Sequence, residues 1–120
     1  MEKRTRFLEA RIERIRRELA RLGDLRPGSL SAQYNVCGNP NCRCKEHPSK
    51  RHGPYYQLSF TRKGRSRTKF VKREHLQEVR RQLKNYARLR TLVDRWIEAS
   101  SELCELRLGQ PARKKAHRRP

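Results

Sequence analysis

The sequence has little of the material from which a wide apolar core is built. Only 33% of its 120 residues are hydrophobic and 7% are aromatic, which leaves room for one small domain and excludes a large enzyme fold. No apolar run approaches the roughly 20 residues that span a bilayer, and the first seven residues contain no apolar signal segment. We therefore predict a cytoplasmic protein without a membrane partner.

Acidic residues are also scarce. Twelve Asp and Glu stand against 32 Lys and Arg, a net charge of +20 at a pI of about 11.2, and such a chain is attracted to polyanions. Residues 37–72 hold ten basic side chains and one acid, Glu46, while residues 109–120 hold five and no acid. A run of charge is often only a solvated face, but the nearly balanced stretches 2–22 and 73–108 weaken that interpretation.

The residue sets of common hydrolases and metal nucleases are missing. There is no phosphate-binding glycine-rich loop, no carboxylate cluster for a two-metal site, and no His-x-Glu before the cysteines as in zinc deaminases. We therefore predict a protein that is not an enzyme and has no small-molecule substrate.

Residues 1–23 show the pattern of an amphipathic helix. Apolar side chains from Leu8 to Leu22 follow a three-four spacing, which is the a/d seam of a coiled-coil-like helix, and Gly23 stands at the expected C-terminal cap. Proline, glycine and serine in residues 24–36 predict a connecting linker.

Residues 73–108 repeat this rhythm over a longer stretch, and at about 1.5 Å per residue the second helix is roughly 20 Å longer than the first. The seam residues Leu8, Ile12, Ile15 and Leu19 are expected to pack on the start of the second helix, or on the same residues of another copy. The residues expected there are Leu76, Val79, Leu83 and Tyr86. The apolar residues then left over are Trp96, Ile97, Leu103 and Leu106. They predict a contact with a partner protein or a second copy through residues 8–22 and 93–106. A kinked second helix that folds back is the alternative.

Two short runs between the helices, Tyr55–Thr61 and Ser66–Val71, predict a β-hairpin. A loop of residues 63–65 places Leu58 opposite Phe70. In that register the apolar face consists of Tyr56, Leu58, Phe60 and Phe70. The opposite face then carries Tyr55, Gln57, Ser59, Arg67, Lys69 and Val71. A lone hairpin is marginal in water, so another element must hold it in place.

The hairpin follows a cluster of metal-binding residue types. The four predicted ligands are Cys37, Cys42, Cys44 and His52. Three thiolates and one imidazole complete the tetrahedral set of a structural zinc ion, and a glycine and a proline in the loop let the cysteines converge. His47 is the alternative fourth ligand, and free thiols or disulfides are the alternatives to a metal. Cys104, in the second helix, is interpreted as a packing residue, and a role as the fourth ligand is a minor alternative.

Together these elements predict an α+β fold: a small zinc-pinned β-hairpin in residues 37–72 between an N-terminal coiled-coil-like helix and a long C-terminal helix. The string Cys37-Gly-Asn-Pro-Asn-Cys-Arg-Cys44, followed by His52-Gly-Pro-Tyr-Tyr56, resembles an uncharacterised family of short bacterial and archaeal proteins that is often associated with mobile elements. The resemblance covers roughly residues 34–95 and supports His52 as a ligand. Residues 45–51 depart from the glycine-rich stretch expected there, which keeps His47 open.

The charge and the hairpin predict a non-catalytic, zinc-containing accessory protein that binds nucleic acid. A basic hairpin is narrow enough to enter a major groove, and the resemblance implies DNA and a link to a mobile element or its transposase or recombinase. The expected contact residues are Arg43, Lys50, Arg51, Tyr55, Arg62, Lys63, Arg65, Arg67, Lys69 and, in a disordered basic tail of residues 109–120, Arg113, Lys114 and Lys115. An RNA-binding subunit, bound to a guide RNA or the ribosome, is the first alternative, and a coiled-coil protein adaptor is the second.

Overall fold

The computed structural model describes residues 2–109. In chain order the elements are helix α1 (Glu2–Arg21), strands β1 (Ser29–Asn35), β2 (His52–Arg62) and β3 (Arg65–Val71), and helix α2 (Leu76–Leu108). Single 3-10 turns occupy Arg43–Lys45, Pro48–Lys50 and Arg73–His75. The predicted α+β fold, with a sheet between an N-terminal helix and a long C-terminal helix, is confirmed. None of the described helices is long and apolar enough to cross a membrane.

The chain divides into two compact units. One, the helical unit, contains the N-terminal residues up to Gly23 and the chain from Ala87 onward. The other, the sheet unit, is Asp24–Tyr86. Because α2 is one continuous helix of 33 residues, its first turns belong to the sheet unit and the rest to the helical unit.

The helical unit has its own apolar core. Its members are Leu8 and Ile12 of α1 and Ala99 and Leu103 of α2, with Trp96 and Leu106 packed against them. The predicted contact of this seam with the start of α2 is therefore wrong for Leu8 and Ile12, because early residues of α1 pack on late residues of α2. Trp96, Leu103 and Leu106 likewise find partners within the chain, whereas Ile97 is 58% exposed.

The sheet unit contains three antiparallel strands in the order β1-β2-β3. The prediction that residues 24–36 are only a connecting linker is wrong, since β1 lies within it and pairs Leu30 with Leu58 and Ala32 with Tyr56. The expected lone hairpin is thus the outer part of a larger sheet, which supplies part of the support that an isolated hairpin lacks.

The register of the hairpin also differs from the prediction. Lys63 and Gly64 form a two-residue turn with φ values of 53° and 76°, so Leu58 pairs with Lys69 rather than Phe70. A slip of one residue moves every side chain of a strand to the other face. Arg67, Lys69 and Val71 therefore lie on the face of Leu58, not opposite it, and Phe70 pairs with Gln57 on the other face, where it is 70% exposed.

The first turns of α2 pack on the Leu58 face of the sheet. Leu58 and Val79 are both buried, and the guanidinium of Arg80 lies 6.0 Å from the ring centre of Tyr56. The Arg26 N–H donates to the Gln82 carbonyl at 3.3 Å and ties the segment before β1 to the same helix. Val79, which the sequence places against the first helix, is thus buried within the sheet unit.

Candidate functional site

Four metal-binding side chains meet where β1 ends and β2 begins. The ligand atoms of Cys37, Cys42, Cys44 and His52 all lie within 4.8 Å of one another. The sulfur atoms of Cys37 and Cys44 are 3.7 Å apart, and Cys42 Sγ is 3.2 Å from His52 Nε2. The structure thus brings together the four predicted ligands, and the cluster can bind a metal ion.

The spacing of two of the sulfur atoms fits a tetrahedral ion. Two sulfur atoms about 2.3 Å from a common zinc ion, at a tetrahedral angle, lie about 3.8 Å apart. The 3.7 Å between the sulfur atoms of Cys37 and Cys44 matches this value. Since Cys44 is only 1% exposed, one corner of the site is shielded from solvent.

The loop that carries the cysteines is folded around Asn39. The Cys42 N–H donates to the Asn39 carbonyl at 3.2 Å, and the Asn41 N–H donates to Asn39 Oδ1 at 3.0 Å. Lys45 Nζ donates to the carbonyls of Cys37 and Asn39, at 2.7 and 2.6 Å. These bonds hold the two ends of the loop together, which brings the thiols into one cluster.

The cluster shifts the acidity of its own thiols. A backbone hydrogen bond with Asn39, followed by contacts with His52 and Cys42, lowers the pKa of Cys37 to about 6. A backbone hydrogen bond with Cys44 acts to lower the pKa of Cys42, but side-chain contacts with Cys44 and Cys37 outweigh it and the pKa is raised. The lowered pKa of Cys37 favours its thiolate, which is the form that ligates metals.

The two other candidate ligands lie elsewhere. His47 Nδ1 accepts the Ser49 N–H at 3.2 Å and caps a 3-10 turn, and it is absent from the cluster. The interpretation of Cys104 as a packing residue is wrong, because its side chain is exposed on α2. Leu103, its neighbour, takes the buried position on that turn of the helix.

Five basic side chains surround the turn between β2 and β3. We call them the hairpin cations: Arg62, Lys63, Arg65, Arg67 and Lys69. Four of them share a face of the sheet with Phe60, because Phe60 pairs with Arg67, Arg62 pairs with Arg65, and Leu58 pairs with Lys69. Among residues 2–109 no ion pair involves any of the five.

The remaining predicted contact residues do not join this group. Arg43, Lys50 and Arg51 are exposed in the segment that carries the cysteines and leads into β2. The hairpin cations lie around the opposite end of β2. Tyr55 lies on the face opposite Leu58 and is 44% exposed. Arg113, Lys114 and Lys115, and the predicted disorder of the tail, lie outside the described residues.

Sequence reasoning missed Arg26. This side chain lines one cavity together with Arg62 and Lys69. The alternation of Leu30, Ala32 and Tyr34 with polar residues was the signal that could have revealed β1, the strand that follows Arg26.

The fold and the cluster define a small α+β protein whose three-stranded sheet carries a Cys3His site able to bind a metal ion. The chain belongs to the family described as "Domain of unknown function (DUF6788)", which matches residues 5–81. That match runs from α1 through the sheet and into the first turns of α2. No curated protein and no solved structure matches the chain.

Proposed function

We propose that this protein is a non-catalytic DNA-binding protein of the accessory kind, in which a zinc ion fixes the sheet and the hairpin cations contact phosphates. A link to a mobile element or its recombinase is part of the proposal and rests only on the resemblance of the cysteine motif. The observation that carries the proposal is the set of five hairpin cations without an ion pair among the described residues.

The arrangement of the hairpin cations favours a polyanion. Their backbones are fixed by β2, β3 and the two-residue turn, so five positive charges are held close together against their mutual repulsion. A phosphate backbone relieves this repulsion and releases counterions when it binds. The acid nearest in sequence, Glu74, lies beyond the end of β3.

Zinc is the proposed ion because of the donor set. Three sulfur atoms and one imidazole nitrogen make a closed tetrahedral site, which is the arrangement of structural zinc. The four protein ligands leave no open position for a substrate or water, and this supports a structural rather than a catalytic role for the ion.

The test is a salt series on the full zinc-loaded chain with a short labelled DNA duplex and one of its strands. Changing Arg62, Lys63, Arg65 and Arg67 to Gln should lower the slope of log K against log salt on the duplex by about 3.6, at roughly 0.9 for each of four phosphate contacts. The matched control changes Arg11, Arg14, Arg17 and Arg21 of α1 to Gln and should lower the slope less.

Two outcomes would contradict the proposal. If the α1 variant loses more affinity than the hairpin variant, the helical surface is the binding surface. If a structured RNA binds more tightly than either DNA probe at the same salt concentration, the ligand is RNA.

A further inference from the structure

A cavity of about 380 Å³ lies beside the hairpin cations. Its walls include Arg26 and Pro27 from the segment before β1, and Leu58, Phe60, Arg62 and Lys69 from β2 and β3. The volume falls within the roughly 300–1,000 Å³ of small-ligand sites. No acidic side chain lines the cavity.

The wall that contains Arg26 is held firmly in place. The Arg26 N–H donates to the Gln82 carbonyl, and Asn85 Nδ2 donates to the Asp24 carbonyl at 2.8 Å. Gly28 approaches β2 so closely that a Cβ atom there would lie 2.9 Å from Leu58 Cδ1. Arg26 therefore projects from a fixed backbone, so little ordering of that backbone is needed for it to bind a ligand.

The lining combines apolar side chains, one of them aromatic, with three cations. Leu58 is buried and Phe60 is half-buried, while Arg26 and Lys69, like Arg62, have no ion pair among the described residues. An aromatic ring favours a flat ring stacked on it, and the cations favour an anion beside that ring. A nucleotide offers both groups a few ångströms apart.

The form of the nucleic acid follows from this lining. In a duplex each base is stacked between its neighbours, so its flat face is not free to contact Phe60. An unpaired nucleotide can leave the stack and place its base on an aromatic side chain, which is how proteins commonly bind single strands.

We infer that this cavity takes one unpaired nucleotide of a single-stranded or looped nucleic acid, with the base on Phe60 and phosphates near Arg26, Arg62 and Lys69. The inference rests on the proposed nucleic-acid binding and specifies the form of the ligand. It adds Arg26 and Phe60 to the contact residues expected from the sequence.

The experiment measures fluorescence anisotropy of the full zinc-loaded chain with a labelled thymidine oligonucleotide and with the same strand in a duplex. Phe60→Leu keeps an apolar side chain but removes the ring, and it should weaken single-strand binding by about tenfold while duplex binding changes little. Arg26→Gln should lower the single-strand salt slope by about 0.7. The matched control, Phe70→Leu, removes an exposed ring from the opposite face and should change neither affinity.

The outcomes separate this inference from the proposed function. Equal losses on both probes for Phe60→Leu would overturn the inference, as would a larger loss for Phe70→Leu, which would move the contact to the opposite face. If neither Phe60→Leu nor Arg26→Gln weakens binding while the hairpin variant does, only this inference fails. If the unchanged chain binds neither DNA probe, the proposed function fails with it.

Discussion

The two units of the molecule use their positive charge in different ways. In the helical unit, Arg4 Nε lies 2.6 Å from Glu102 Oε2, and Arg107 Nη2 lies 2.6 Å from Glu9 Oε2. Arg88 pairs with Glu18. Each pair joins α1 to α2, so charge in this unit contributes to packing. The sheet unit carries fifteen Lys and Arg against four Asp and Glu, and its hairpin cations have no ion pair among the described residues.

The difference shows that the net charge of +20 is not spread evenly over the surface. Three arginines of the helical unit, Arg4, Arg88 and Arg107, are paired with carboxylates that lie 98, 70 and 98 positions away in sequence. The same chain leaves the hairpin without such carboxylates. The hairpin thus holds five basic side chains close together with no ion pair among the described residues, which favours a role in recognition over one in solubility.

Among variants that test the contrast between the two units, a change in the metal cluster is expected to have the largest effect. Cys44→Ser should reduce the metal content from one ion per chain to nearly none and disorder the sheet unit, because binding energy at a structural zinc site is folding energy. Helicity from the helical unit should remain. Metal analysis and amide hydrogen exchange of β1 and β2 measure the two effects.

Two controls accompany this variant. Cys104→Ser removes an exposed thiol and His47→Ala removes a histidine outside the cluster, and both should keep the ion. His52→Ala should lose it. A full complement of metal in Cys44→Ser would show that the cluster is not the binding site.

An intermediate effect is expected in the core of the helical unit. Leu8 is 2% exposed and packs with Ala99 and Leu103, so Leu8→Ala should lower the free energy of unfolding by about 2–5 kcal/mol. The metal content should stay at one per chain. Thermal and urea unfolding followed by circular dichroism provide the measurement.

The control for this core variant is Ile97→Ala. Ile97 lies on the same helix but is 58% exposed, so its truncation should change the free energy by less than about 0.5 kcal/mol. If Leu8→Ala were as mild as Ile97→Ala, the apolar seam would not hold the two helices together.

The smallest effect is expected from the paired arginines. Changing Arg4, Arg88 and Arg107 to Gln should lower the melting temperature by less than about 5 °C, because exposed ion pairs contribute little, and should leave DNA affinity nearly unchanged. Hydrogen bonds from Arg4 and Arg88 lower the pKa of Glu102 and of Glu18. Their stabilisation is therefore present at neutral pH and is lost as the pH falls through the lowered pKa values.

The contradicting result concerns DNA rather than stability. Suppose that the variant of the three paired arginines loses as much DNA affinity as a variant with three hairpin cations changed to Gln. That result would mean that paired and unpaired arginines are equivalent for the ligand. The contrast between the two units would then have no functional meaning.

Local spacing was enough to predict the helices and the ligand cluster. The three-four rhythm from Leu8 onward fixed the buried face of α1, because helical periodicity depends only on near neighbours. The three cysteines lie so near one another in sequence that a short loop brings them together. His52 was preferred over His47 because it stands at the start of a strand, and the structure places it in the cluster.

The strand register could not be predicted by the same means. Burying Phe70 beside Leu58 favours a three-residue loop, but Lys63 and Gly64 adopt the two positive φ values of a tight hairpin turn. The turn matches the twist of the strands, and this preference outweighs the burial of one aromatic ring. The position of Arg26 beside the hairpin could not be predicted either, because it depends on β1 and α2 both packing on β2.

The two connections of the sheet are of very unequal length. Two residues join β2 to β3, whereas the sixteen residues 36–51 join β1 to β2. Each doubling of loop length adds about 0.6 kcal/mol of closure entropy, so the longer connection costs on the order of 2 kcal/mol more to close. Three of the metal ligands lie within it and the fourth, His52, lies at its end, so an ion bound there would close it. We therefore expect an order of assembly in which β2 and β3 pair first, and β1, although it leaves the ribosome earlier, joins the sheet later, with an ion in the long connection favouring that step.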